Sequence, residues 1–226
     1  MIDTLSQRIE ACGFAIEEGV LSDDDVDAML GSLAGVKAHA VRDLMRAVPA
    51  IADLARNPPV RALAEAVLGP GCFAVRGLLF DKTPAANWKV AWHQDLTIAC
   101  RFRREFPGFG PWSMKAGIPH VQPPAEILSR MVTLRIHLDP CGTENGPLRV
   151  VPDSHRGGKM LAEQIARVKE TSAEETCLVG SGGVLTMKPL ILHASSAATS
   201  PGHRRVIHLE YAADELPGGL EWHGRW

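Results

Sequence analysis

Residues 87–98 run Asn87-Trp88-Lys89-Val90-Ala91-Trp92-His93-Gln94-Asp95-Leu96-Thr97-Ile98, and most of the chain can be placed by working outward from them. Trp88, Val90 and Trp92 alternate with Asn87, Lys89 and Ala91, which is the period-2 pattern of a strand. Within it, His93-Gln94-Asp95 sets an imidazole and a carboxylate two residues apart, and on a strand that spacing aims both at one face. Alone, a His-x-Asp in a chain with 9 His is weak evidence; a surface pair or a hydrogen-bonded turn is the ordinary explanation. A second His delivered by the fold would change this. Two imidazoles and one carboxylate make a facial set that leaves positions open on a non-haem iron(II).

The second half of the chain supplies such a His. Leu190-Ile191-Leu192-His193-Ala194-Ser195-Ser196 is an apolar run ending in His193, and the polar turn Thr199-Ser200-Pro201-Gly202 follows it. Arg204 to Tyr211 is then a strong strand pattern. An Arg at its start presents a rigid fork suited to a carboxylate, which a keto acid chelating the metal would hold about one side chain away. Strand alternation puts only one of Arg204 and Arg205 inward, and a one-residue slip would exchange them.

These residues, taken with others, resemble the phytanoyl-CoA dioxygenase family of Fe(II)/2-oxoglutarate-dependent oxygenases. The resemblance runs through Trp92-His93-Gln94-Asp95, Leu138-Asp139-Pro140, Glu144 to Pro152, Ser154-His155-Arg156, Gly183, His193-x-Ser195 and the Arg eleven residues beyond that His. It covers nearly the whole chain in order. One departure is Asp153, where the family usually has Gly, a residue that enters positive φ freely. The resemblance implies a double-stranded β-helix (a jelly-roll, cupin-like barrel, mainly β) with flanking, mostly N-terminal, helices. It also implies Fe(II) on His93, Asp95 and His193, with 2-oxoglutarate bound by Arg204 and Ser195 and O2 as the oxidant. The implied reaction hydroxylates a small organic molecule and releases succinate and CO2. Halogenases of this fold carry a small residue in place of the carboxylate, so Asp95 favours hydroxylation. A cupin-like metal enzyme without 2-oxoglutarate, and a catalytically silent binding protein, are the competing expectations; the first has no use for Arg204, the second none for a complete ligand set.

Composition narrows the field. Apolar content of 46%, charged content of 22% and a formal charge of −2 are those of an ordinary globular protein and give no electrostatic case for nucleic acid or an acidic membrane. Five Cys without a C-x-x-C argue against a disulfide framework or structural zinc. With no basic, apolar leader at Met1–Arg8 and no apolar stretch of membrane-spanning length, the expected location is cytoplasmic. The 226 residues are expected to form one oxygenase domain.

Along the chain, residues 1–71 are expected to be a mostly helical cover. Helices are expected over 3–12, from Ser22 (capped with Asp25) to Ser32, and after Asn57-Pro58, with helix or turn over 38–56. From residue 72 the period changes to 2, with strands over 73–80, 87–92 and 95–100. Arg76, inside an otherwise apolar strand, reads more readily as a sheet-edge residue than as an anion contact. Residues 101–128 are rich in Pro, Gly and basic side chains with little periodicity, and are expected to be an active-site loop. In Ser129–Leu138 a mainly polar face (Met131, Thr133, Arg135 and His137) alternates with an apolar one. A lumen-facing polar side makes Thr133 and Arg135 candidates for the cosubstrate pocket. His137 and His155 are expected to be scaffold rather than ligands.

Overall fold

The structure, a computed structural model, describes residues 4–37 and 39–226. Residue 3, where the first helix was expected to start, and residue 38 lie outside the described residues. Helix α1 (Leu5–Cys12) opens with a capping box between Thr4 and Gln7 and ends at Gly13, whose φ of 83° is left-handed. A side chain at Gly13 would run into the His155 ring. Strand β1 (Phe14–Glu17) follows. Helix α2 (Asp23–Leu33) carries the expected Ser22/Asp25 capping box, and Asp23, Asp24 and Asp25 complement the dipole of its first turn. The next stretch holds a short strand as well as helix: β2 (Ala40–Val41), α3 (Leu44–Ala47) and α4 (Pro49–Arg56). Helix α5 (Pro58–Leu68) begins on Pro58, whose missing N–H would have had no helical partner, and stops at Gly69.

The remaining strands are β3 (Phe73–Lys82), β4 (Val90–His93), β5 (Ile98–Ala99), β6 (Trp112–Lys115), β7 (Ile118–Val121), β8 (Met131–His137), β9 (Leu148–Val150), β10 (Glu175–Cys177), β11 (Val184–Met187), β12 (His193–Ser195) and β13 (Arg204–Ala212). Two further helices are α6 (Ala125–Ser129) and α7 (Ala162–Thr171). The major sheet has the order β1-β11-β8-β13-β3-β2 and the minor sheet β10-β9-β12-β4, with a small sheet β5-β7-β6 beside them. Every pairing is antiparallel. This is the expected mainly β, jelly-roll arrangement with helices on one side.

Alternation gives the major sheet two distinct faces. Val132, Leu134 and Ile136 of β8, with Ile207 and Leu209 of β13, pack outward on Leu44, Ile51, Leu54, Val60 and Ala64 of the helices. Each such fully buried aliphatic contributes roughly 2 kcal/mol. The Tyr211 hydroxyl pins the layer by donating to the Ala55 carbonyl at 2.7 Å. On the inner face, cross-strand pairs are Arg204 with Lys82, Val206 with Phe80, His208 with Leu78 and Glu210 with Arg76. Phe14, Leu185 and Met187 of the major sheet meet Leu148, Val150 and Cys177 of the minor sheet and close one end of the space between them.

Two expectations need correction. Residues 95–100 are not one strand: β4 stops at His93, residues 94–97 are irregular, and β5 belongs to the small sheet. Residues 101–128 are not a structureless loop. They hold the β6–β7 hairpin, turned by Ala116 and Gly117 at φ 51° and 76°, two positive values that match the twist of a tight hairpin. The C-terminal segment packs on the core through Trp222 and Trp226, whose backbone pairs with Ala74. Among the described residues no helix is long and apolar enough to cross a membrane.

Candidate metal centre

His93 ends β4 and His193 begins β12, and the two are direct partners across the antiparallel ladder. Their rings lie 4.2 Å apart between centroids, tilted by 51°. Asp95 comes in from beyond the strand, fixed by its N–H to the Pro189 carbonyl at 2.9 Å. Gln94 makes that exit rigid. Its amide donates to the carbonyls of Gly158 (2.8 Å) and Leu190 (2.6 Å) and accepts from the Met160 N–H at 2.8 Å. With Gln94 riveted into the protein, its neighbours are left pointing the other way, into the cavity.

The three side chains converge. Asp95 Oδ1 is 3.7 Å from His93 Nε2 and Oδ2 is 3.7 Å from His193 Nε2, and one ligand atom from each lies within 4.8 Å of the others. Nδ1 of His93 faces the Ala91 carbonyl and Nδ1 of His193 the Ile191 carbonyl, both at 2.9 Å. Those carbonyls can only accept, so each Nδ1 carries the proton and each Nε2 lone pair is turned to the centre, the tautomer a metal ligand needs. Burial pushes His193 down to about 4 against the pull of Asp95, so it is neutral at pH 7. Burial opposes ionisation of Asp95, but His193, His93 and His208 overcome it and hold the carboxyl well below the usual range. His93 is lowered by burial but raised on balance by Asp95. Donor types, tautomers and spacing all fit a single divalent ion.

Beside the triad is a cavity of about 170 Å³ between the two sheets. Val90, Leu148 and Ser195 line it from the minor-sheet side, and Phe80, Arg135, Arg204 and His208 from the major sheet. Arg204 lines it and Arg205 does not; Arg205 turns out to Asp139 in a two-pronged pair at 2.8 and 2.6 Å. Arg204 donates to the Gly146 carbonyl. Gly146 sits at φ 62°, and a Cβ there would strike Ser196, Ala198 and the Lys82 ammonium, so the turn needs glycine for close approach as well as for conformation. Ser195 receives Lys82 Nζ at 3.3 Å, and Lys82 also donates to the Ser196 carbonyl.

Charge on this wall is lopsided. Lys82, Arg135 and Arg204 are buried, and among the described residues none has a carboxylate partner. Burial, reinforced by their mutual repulsion, lowers Lys82 to about 8 and Arg135 to about 10. Arg135 Nη1 donates to His208 Nδ1 at 3.1 Å, and His208 Nε2 donates to Glu210 at 3.2 Å. Glu210 also holds Arg76 in an ion pair. Arg76 therefore faces inward and is ion-paired rather than solvent-exposed, although β2 reaches only Leu79 and Phe80 and leaves the backbone at Arg76 laddered to β13 alone.

Other sequence candidates fall elsewhere. Thr133 is buried beside this wall but does not line the cavity, and among the described residues its hydroxyl has no partner. His137 is buried near Arg135 and lowered to about 3, first by burial. His155 bonds the Glu10 carbonyl at 3.2 Å and lines a separate surface groove that shares no residue with this cavity. Asp153, the departure from the family pattern, adopts the left-handed φ of 67° that the turn requires. Lys82 was missed because the strand was expected to end at Phe80; His208 and Glu210 were missed although they share Arg204's face by simple alternation.

A family model described as phytanoyl-CoA dioxygenase (PhyH) matches residues 33–206. Among solved structures, the non-haem α-ketoglutarate-dependent carbocyclase SnoK from nogalamycin biosynthesis aligns with a TM-score of 0.73 at 16% identity, covering 93% of this chain and 83% of that one. The epimerase SnoN from the same biosynthesis aligns with a TM-score of 0.70 at 18% identity, covering 95% and 89%. HygX from Streptomyces hygroscopicus, solved with nickel and 2-oxoglutarate bound, gives 0.66 at 19%, covering 90% and 83%. At these identities the likeness is one of fold. No curated protein gives a significant match.

Proposed function

The chain belongs to the phytanoyl-CoA dioxygenase family, and from that premise we propose that it is an Fe(II)/2-oxoglutarate-dependent dioxygenase, a single domain over residues 1–226, that hydroxylates a small organic molecule with release of succinate and CO2. The observation that carries the reading is the pairing of a converged His-Asp-His set with a wall of three buried cations that lack carboxylate partners. Buried charge of one sign is costly until a counter-charge arrives, and a small dicarboxylate beside the metal would supply it.

In this reading His93, Asp95 and His193 hold Fe(II) through two Nε2 atoms and a carboxylate oxygen. The bound metal with the keto acid supplies the oxidising power that no side chain has. Arg204 pairs with the far carboxylate of 2-oxoglutarate, and Ser195 adds its hydroxyl. Lys82 sets the local potential and orients Ser195. Arg135 keeps His208 fixed, and Phe80, Trp88 and Val90 keep water from the reacting side. Thr133, a further candidate for the cosubstrate, is not among the residues lining the cavity, so this reading gives the contact to Arg204 and Ser195.

The test is anaerobic titration of the metal-free protein with Fe(II) and then 2-oxoglutarate, following the visible charge-transfer band of a chelated keto acid. Wild type is expected to develop the band and His93→Ala to lose it. Iron binding without the band would overturn the cosubstrate assignment in favour of a cupin-like enzyme, and no iron binding would leave a silent binding protein.

A further inference from the structure

A second chamber, of about 400 Å³, lies on the other side of the triad and shares Phe80, His93, Asp95 and His208 with the first. Resting on the function proposed above, which assigns the inner cavity to the cosubstrate, this outer chamber is left for the substrate. Its charges can be accounted for one by one. Asp95 is committed to the metal. Arg76 is committed to Glu210. Arg42 and Lys115 remain. Arg42 follows β2, and the acid next to it, Asp43, is occupied by Arg46 at 3.5 Å and His223 at 3.3 Å. Lys115 ends β6, half-buried, and its only partner among the described residues is the neutral Thr97 hydroxyl at 3.0 Å. Two of its three donors are free. Burial lowers Lys115, the nearby guanidiniums of Arg76 and Arg42 lower it further, and Asp95 and Glu210 pull the other way.

The rest of the lining is chemically divided. Leu78, Phe80 and Leu96 are apolar, and among the described residues the Gln122 side chain has no hydrogen-bond partner. Gln94, also on this wall, has its amide fully used by backbone groups. We infer that the outer chamber takes a small carboxylic acid, its carboxylate between Arg42 and Lys115 and its apolar body laid toward the metal. A guanidinium and an ammonium meeting from different elements hold one carboxylate in one orientation, which fixes the C–H bond presented for oxidation. The β6–β7 hairpin then serves as a specificity element, because it brings Lys115 and Gln122 to the chamber.

The experiment adds hexanoate, octanoate or phenylacetate, each beside its primary amide, to the anaerobic protein loaded with Fe(II) and 2-oxoglutarate. The acids are expected to shift the charge-transfer band saturably, and the amides to need at least about tenfold more. Arg42→Gln and Lys115→Gln should each weaken the acids about tenfold while leaving the 2-oxoglutarate titration unchanged; that unchanged titration also reports that the variants are folded. Equal response to acid and amide, no response to any probe, or insensitivity to both substitutions would overturn the inference. So would bleaching of the band, which means the acid displaces 2-oxoglutarate. If wild type shows no band, the function proposed above fails separately. The chamber is then read by thermal shift with the same pairs, where acid-only stabilisation lost in Arg42→Gln supports a carboxylate site and equal stabilisation by acid and amide rejects it.

Discussion

His93 and His193 stand on the minor sheet, whereas Lys82, Arg135 and Arg204 stand on the inner face of the major sheet. The two walls meet different physical demands. Metal ligands need fixed tautomers and open lone pairs, and short strands with local carbonyls at Ala91 and Ile191 provide them. Unpaired cations need a wall that cannot relax to let water in. The major sheet is covered outside by helices and is buried along all of β8. One wall positions atoms and the other stores charge, and the cavity lies between them.

The sharpest way to break that division is at Arg204 and Arg205, adjacent residues on opposite faces of β13. Arg204→Ala is expected to weaken 2-oxoglutarate binding about 100-fold, since it removes a buried charge-assisted contact. Arg205→Ala should leave that affinity unchanged and cost about 1 kcal/mol of stability through loss of the Asp139 pair. Titration of the charge-transfer band and denaturant unfolding separate the two; equal loss of affinity in both would mean that the faces are wrongly assigned.

Lys82 offers a smaller effect with a pH signature. Its ammonium, lowered to about 8 by burial and by Arg204, is positive at neutral pH and loses its proton as pH rises through that value. Affinity for the dianion should therefore decline above about pH 8 in wild type. Lys82→Met should bind about tenfold more weakly at pH 7 and show no such decline. A decline that persists in Lys82→Met would assign the titration to another group.

Acid should act on the whole framework. Burial holds His137 to about 3, and His120 and His193 to about 4, each below the ordinary value of 6.5. A depressed histidine leaves the unfolded chain binding more protons, so its contribution is complete above about 6.5 and is lost as pH falls toward the folded value. Each adds a slope of up to about 1.4 kcal/mol per pH unit. Melting of the metal-free protein should fall steeply between pH 6.5 and 4, and less steeply in His137→Gln. The smallest expected effect is at Thr133. Its buried hydroxyl has no partner among the described residues, so Thr133→Val should leave 2-oxoglutarate affinity unchanged and stability equal or slightly higher. A clear loss of affinity would restore Thr133 to the cosubstrate site.

Much of the framework was legible because it is written in local pattern. The Ser22/Asp25 cap, the Pro58 start of α5, and the alternation of β8 and β13 are short-range signals, and the helices and strands follow them. The His-x-Asp spacing also pointed both ligands to one side, though for a reason other than the one read. β4 ends at His93, and it is Gln94, tied to Gly158, Leu190 and Met160, that turns Asp95 into place. No local pattern announces partners 64 to 96 residues away. Residues 101–128 were illegible for a similar reason. Their hairpin turns on Ala116, a residue without turn propensity, and its strand β7 is held by pairing with β5 rather than by its own periodicity.

The sequence by itself determined the family, the fold class and the three ligand types, because motif spacing and strand period survive in one dimension. The tertiary structure alone decided which Arg faces the cavity, that Lys82 joins it, and that Arg76 is inward and paired. It alone brought Arg42 and Lys115, 73 residues apart, to one chamber. Charge complementarity is a property of distances in space, and those distances exist only once the sheets have closed on each other.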